Sequence, residues 1–420
     1  MFGLDLISSK ARVPRALDEV TTINEESEED PRSAGLDAAA VETIWSAVER
    51  YYRSGIHPAI QICLRYRGRI LLDRAIGHAH GNGPGDRPRE PKVLATPETP
   101  FNIFSASKAV TAMLIHLLDQ DKLLHLDDHV CEYIPEFDRY GKDVITIRHL
   151  LAHRAGIPNI PAEAMHLENL SRPDEILRIM CESRPIHRPG YNLAYHAISG
   201  GFVLGEVVQR VTGKDIRTVL EERVLQPLGF RWMRYGTRPE LVPLVARNYH
   251  TGPPQLPVVN YLMRRALGVS VDRVVELSND QRFLTGIIPS GNVVTTAAEL
   301  SRFYQLLLNE GELDGIRIFD RRTIRRATSE QSYLEFDSIL GLPIRYSLGF
   351  MLGGRWLSLY GPDTDRTFGH LGFTNIVGWA DPDRQIAGAL LTSGKPLIYP
   401  EIFYAFELMR VIGNVCPARR

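Results

Sequence analysis

The chain has little of what marks a secreted, membrane-spanning or nucleic-acid-binding protein. Its 420 residues hold four cysteines, Cys63, Cys131, Cys181 and Cys416, and none is spaced as a pair. They form neither a disulfide framework nor a zinc site, so a reducing cytoplasm is the expected compartment. No apolar run approaches eighteen residues, so no membrane span is expected. The opening MFGLDLISSKARVPRALDEV lacks the continuous apolar core of a signal peptide. An excess of one charge is missing too: 49 Lys and Arg oppose 50 Asp and Glu. That balance gives no electrostatic reason to expect nucleic acid or an anionic membrane as partner.

Several catalytic signatures are also absent. There is no G-x-S-x-G nucleophile elbow, which argues against an α/β-hydrolase design. No G-x-x-x-x-G-K-[ST] phosphate loop and no H-E-x-x-H zinc helix occur. No metal or organic cofactor is implied.

What is present suits a packed enzyme-sized fold. Hydrophobic residues make up 44% and charged residues 24%, enough for one large domain or two interlocked ones. Residues 20–34, VTTINEESEEDPRSA, read as an exposed acidic lead-in. In LDAAAVETIWSAVERYYRSG, Val41, Ile44, Trp45, Val48, Tyr51 and Tyr52 fall at helical spacing, with Asp37 as N-cap and Gly55 as terminator. AIQICLRYRGRILLDRAIGHA predicts two strands turning at Arg67–Gly68. A helix follows over roughly 105–120, and the signals stay mostly helical to about 285, as in PDEILRIMCES and AISGGFVLGEVVQRVTG. Strands return in YSLGFMLG and RTFGHLGFTNIVGWADPDRQIAGALLTS, before a closing helix EIFYAFELMRVIG. The pattern predicts an α+β fold: an antiparallel β-sheet flanked by helices, with a large inserted helical domain. The expected divisions are a flexible lead-in (1–35), a first part with hairpin and helix (36–120), a mainly helical domain (121–285) and a second α/β part (286–420).

The stretch NIFSASKAV places Ser105 and Lys108 three residues apart at the mouth of an apolar helix. Such residues share a helix face. Serine is a weak nucleophile until a neighbour takes its proton. The plain alternative is a serine cap and a solvated lysine, although a first-turn lysine opposes the helix dipole. Two further segments bear on the choice. RPGYNLAYHAISGG carries Tyr195 just before a helix, and FGHLGFTNIVGWADPD carries His370-Leu371-Gly372 at the start of a strand-like run.

S-x-x-K, then P-G…Y, then H-x-G form an ordered set that resembles the serine β-lactamase and penicillin-binding-protein superfamily. Within it, the likeness is nearer to class C β-lactamases and family VIII carboxylesterases. ITIRHLLAHRAGIP, VLEERVLQPLGF and IIPSGNVVTTAAELSRF are similar to the superfamily in style, and the resemblance spans about 36–412.

The resemblance implies a β-lactamase/transpeptidase-like fold and an acyl-enzyme on Ser105. Lys108 would hold or relay the serine proton, and Tyr195 would act as general base. A phenol titrates near pH ~10, so Tyr195 would need cations beside it, Lys108 first and His370 if protonated. The backbone N–H groups of Ser105 and Phe373 match the oxyanion donors. His370 and Gly372 match substrate-binding positions, Gly372 by leaving space for a substrate.

Two departures favour esters over β-lactams. His370 stands where β-lactamases usually carry lysine, and Ala197 stands two residues after Tyr195 where they carry asparagine. A neutral histidine offers a hydrogen bond but no charge. The expected function is therefore a carboxylesterase acting on a small-molecule acyl ester. The rivals are an amidase, D-amino-acid peptidase or weak β-lactamase, and a non-catalytic binding protein on the same fold.

Other candidates read as bystanders. His250-Thr251-Gly252 is a second H-x-G but precedes two prolines, so it reads as a loop. His125/His129 and His149/His153 sit four apart without a carboxylate or thiol to complete a metal set. Tyr191 is the alternative base, and Trp379 reads as core. Oligomeric state stays open.

Overall fold

The computed structural model describes residues 8–418, except 88, 162–165, 256, 258, 259, 262, 265–267 and 357. Residues 1–7 of the expected lead-in therefore lie outside the described residues. Both ends of the chain build the central sheet. Its strands are β1 (Thr21–Ile23), β2 (Ala59–Tyr66), β3 (Arg69–His80), β4 (Val93–Leu94), β5 (Met351–Leu352), β6 (Phe368–Gly372), β7 (Ile376–Asp381) and β8 (Ile386–Thr392). They lie in the order β1-β3-β2-β8-β7-β6-β5, with β4 beside β3. The two ends meet where β8 pairs antiparallel with β2, Ile386 opposite Tyr66 through Thr392 opposite Ile60. The β2–β3 turn falls at Arg67 and Gly68, both at positive φ (54° and 81°). That turn conformation matches the twist of the strands it joins.

The principal helices are α1 (Ala40–Arg53), α2 (Ser107–Gln120), α3 (Pro173–Glu182), α4 (Ser199–Thr212), α5 (Val271–Ser278), α6 (Ala297–Leu308) and α7 (Ile402–Val415). Alternation along β2 assigns them to faces. Ile60, Ile62 and Leu64 join Val48, Tyr52 and Leu408 in a core beneath α1 and α7. Ala59 and Cys63 point the other way, into the core shared by α2 and α6. Small residues on that face let α6 come close: a Cβ on Gly378 would lie 2.4 Å from the Tyr304 ring. The predicted stripe of α1 is buried throughout. Its N-cap is Ala39, with the Asp37 carboxylate accepting the Ala39 N–H at 2.7 Å. Gly55 follows the helix at φ 75°.

Helix α2 has no polar face; every side chain from Ser107 to Leu118 is buried. A helix enclosed on all sides must run through the interior, and α2 passes between the sheet side and the helical region formed by α3 to α5.

Two expectations change. Residues 20–34 are docked instead of forming an exposed lead-in. Thr21 pairs opposite Ile76 on β3, and Glu28 binds Arg74 at 2.7 Å with both side chains largely enclosed. A buried guanidinium needs a carboxylate, so this acidic run supplies a counter-ion. The expected strand 346–353 shrinks to Met351–Leu352, because Ser347 N–H donates to Phe350 O (2.9 Å) and Gly349 turns the chain at φ 116°.

Gly372 also takes a different role. The space beside it is filled by protein: a Cβ there would lie 2.3 Å from the Ile103 carbonyl oxygen and 2.9 Å from Ile376 Cβ. Its lack of a side chain lets β6 press against the backbone that leads into Ser105. Gly372→Ala should cost roughly 1–3 kcal/mol, read as a lower urea midpoint, and should displace the Ser105 turn. Unchanged stability would show that this contact gives way freely.

Candidate active site

The turn bearing Ser105 is set by backbone pairing on one side and strain on the other. Phe101–Asn102 pairs with Val293–Thr295, and Ile103 N–H donates to Val293 O at 2.9 Å. The next residue, Phe104, is a non-glycine at φ 47°, a conformation that persists only when surroundings enforce it. Here the Phe104 ring packs 5.4 Å from that of Phe373 and 5.0 Å from Lys395 Nζ. Ser105 falls in a 3-10 turn, Phe104–Ala106, and the α-helix proper begins at Ser107. The two serines of S-A-S-K part company here. Ser107 is fully buried, its Oγ accepting the Val293 N–H at 3.0 Å, whereas Ser105 opens onto a cavity.

Lys108 is not a solvated first-turn residue. Its Nζ donates to Ala197 O (2.6 Å) and Ser290 O (3.2 Å) and lies 3.2 Å from Ser105 Oγ. No carboxylate pairs with it in these contacts. Burial therefore lowers its pKa to about 7, since desolvation disfavours the ammonium. A neutral amine has two N–H donors and one lone pair. The two carbonyls engage the donors and leave the lone pair for the Ser105 hydroxyl.

Tyr195 stands against the same pair. Lys108 Nζ lies 4.7 Å from its ring centre, and the Ser105 side chain is near enough its hydroxyl to affect its titration. Burial raises its pKa above the ordinary phenol value; the neighbouring Ser105 side chain opposes this and the Asp337 charge adds to it. Tyr195 is thus a neutral phenol at neutral pH. His370 is buried, and its Nδ1 lies 2.8 Å from Leu371 O, which requires the proton on Nδ1. Burial, then the nearby Lys108, lowers its pKa to about 3. It therefore stays neutral and adds no charge to stabilise a phenolate.

The Ser105 N–H sits ahead of the first intrahelical bond, Ala106 N–H to Ile103 O, and so has no helical acceptor. Phe373 follows the end of β6 and lines the same cavity as Ser105.

Sequence reasoning missed four contributors. Asp337, fully buried in the 335–344 hairpin, accepts N–H groups from Tyr195 (3.2 Å), Ile339 (2.8 Å) and Leu340 (2.9 Å). His153, at φ 58°, packs its ring 4.8 Å from that of Tyr195 and takes the His196 N–H on Nδ1 at 3.2 Å. Ala197 and Ser290 act through carbonyl oxygens, which leave no mark on side-chain pattern.

The bystanders are accounted for. Tyr191 is 62% exposed, and Trp379 is core. Gly252 pairs with Ser9 and lies outside the sheet. His149 Nδ1 accepts the Thr146 N–H as part of a helix cap, and His125 Nδ1 accepts from Asp127 N–H. Among the described residues no cluster of three His, Cys, Asp or Glu is placed to hold a metal ion, and no helix is long and apolar enough to cross a membrane.

The beta-lactamase family model matches residues 44–401, and the chain belongs to that family. It is 29% identical over 306 residues to Esterase/beta-lactamase LipL of Mycobacterium tuberculosis, covering 69% of this chain and 68% of that protein. It is 25% identical over 379 residues to N-acetylmuramyl-L-alanine amidase of Bacillus subtilis, covering 84% and 81%. Among solved structures, a penicillin-binding protein homolog from Caulobacter crescentus superposes with TM-score 0.77 at 25% identity, covering 90% of this chain and 97% of that one. A family VIII carboxylesterase superposes with TM-score 0.75 at 25% identity, covering 89% and 98%. The chain is a serine hydrolase of the beta-lactamase fold.

Asp337→Ala would leave three buried N–H groups without an acceptor. It should lower stability by roughly 1–3 kcal/mol and slow turnover by loosening Tyr195. Wild-type melting and activity in this variant would remove Asp337 from the account.

Proposed function

We propose that this chain is a carboxylesterase that cleaves small neutral esters through an acyl-enzyme on Ser105. The observation that carries this reading is the uncharged substrate side of the site. His370, in place of the lysine expected from β-lactamases, is buried with its pKa near 3, and its Nδ1–H is spent on Leu371 O. A substrate carboxylate, as in β-lactams or peptides ending in D-alanine, finds no fixed cation there. The esterase named among the relatives and the superposed family VIII carboxylesterase support the same choice.

In this mechanism neutral Lys108 is the base. Ser105 Oγ adds to the ester carbonyl carbon as its proton passes to Nζ, 3.2 Å away. The carbonyl oxygen becomes an oxyanion held by the N–H groups of Ser105 and Phe373. Collapse breaks the bond to the alcohol oxygen, which takes a proton from the Tyr195 hydroxyl as Lys108 replenishes it. Water then enters by the same steps and releases the acid. Burial lowers the Lys108 pKa and raises that of Tyr195, so the amine is the stronger candidate for accepting the first proton and the phenol for relaying the second. All four cysteines are free thiols, which fits a reducing compartment, and the cytoplasm is part of this proposal.

The test is hydrolysis of p-nitrophenyl butyrate beside a chromogenic cephalosporin and a D-alanyl peptide. Ester turnover should dominate and vanish in Ser105→Ala. Lys108→Met and Tyr195→Phe should each lower kcat by roughly 10²–10⁴-fold without loss of fold by circular dichroism. Faster turnover of the peptide or cephalosporin than of the ester would overturn the assignment. Near-full activity in Tyr195→Phe would remove the relay.

A further inference from the structure

The cavity that opens at Ser105 runs into the helical region and has a volume of about 150 Å³. Its walls are hydrocarbon: Ile176 and Met180 of α3, Phe202 of α4, Val274 and Leu277 of α5, and Phe283. Ala197 adds a methyl group where β-lactamases place an amide. Among the described residues no Lys, Arg, Asp or Glu lines it; the polar side chains in its wall are Ser105, His166, Asn169 and Ser290.

Resting on the esterase reading, we infer that this cavity is an acyl pocket for an unbranched aliphatic or aryl group of about six carbons. The direction follows from the proton path. Lys108 and Tyr195 serve the departing oxygen, so the alcohol half must lie beside them. Neither lines this cavity, which leaves it to the acyl half. The size follows from volume, since an apolar cavity of about 150 Å³ takes a benzene-sized group. The chemistry follows from the walls. A charged acyl group, such as an α-ammonium or a carboxylate, would be desolvated there without a counter-charge.

The experiment is kcat/KM across p-nitrophenyl esters from acetate to decanoate, with phenylacetate included. Burial of each added methylene should raise kcat/KM about fourfold up to about hexanoate, with no further gain beyond it. Val274→Trp should move the maximum to shorter acyl groups and cut the hexanoate-to-acetate ratio at least tenfold. Val274→Ala should move it the other way. A flat or falling wild-type profile from acetate to hexanoate would overturn the pocket while leaving the esterase reading intact, as would a profile unmoved in both variants. Should no ester turn over, the esterase reading falls separately. The pocket is then read from the rates at which P-methyl and P-hexyl fluorophosphonates label Ser105. Faster labelling by the hexyl reagent upholds the pocket; equal rates overturn it. If neither reagent labels Ser105, both readings are overturned.

Discussion

In the proposed mechanism, the desolvation of one amine governs the chemistry. Lys108 sits on a helix with no solvent face, so its charge is largely cut off from solvent, and burial is the cause that lowers its pKa. Leaving an ammonium in such a place is costly, and the group yields by releasing its proton. The two carbonyls that face it, Ala197 O and Ser290 O, suit a neutral amine as well as a charged one. They come from segments far apart in sequence, before α4 and before α6, and so tie the helical region and the sheet side to the same nitrogen.

The rest of the site avoids restoring charge around that amine. His153, His196 and His370 are all buried, and all have lowered pKa values, with Lys108 contributing to each after burial. Protonating any of them would place a cation beside the amine, and a proton on the amine in turn disfavours a proton on each of them. Asp337 is held by backbone N–H groups and acts on Tyr195 through position and charge. The substrate side is consequently uncharged. Backbone geometry completes the arrangement: a strained Phe104 and a glycine at 372 bring the Ser105 turn against β6.

Much of this was legible in the sequence, for physical reasons that can be named. Hairpins, the α1 stripe and the S-x-x-K spacing are local patterns, and periodicity reports them directly. A sheet drawn from both ends of the chain followed from strands flanking a helical insert, although which of them pair did not. What stayed hidden was non-local or borne by backbone. Asp337 lies 142 residues from Tyr195, in a hairpin with no catalytic signature. The carbonyls of Ala197 and Ser290 have no residue-type signal. The charge state of His370 depends on burial, which spacing alone does not report. The acidic run at 20–34 misled because composition does not show that Arg74 would be buried beside it. Gly372 misled in a similar way: the need for a bare position was visible, but not that Ile103 occupies the space.

The central claim is that Lys108 is neutral at working pH and so activates Ser105. The most direct measurement is the pH dependence of the rate at which a fluorophosphonate labels Ser105, in wild type and in Lys108→Met. The account predicts a rate that rises with pH through a single inflection at about 7 and collapses in the variant. A rate independent of pH across neutrality, or one that rises only near the ordinary lysine value of about 10, would contradict it.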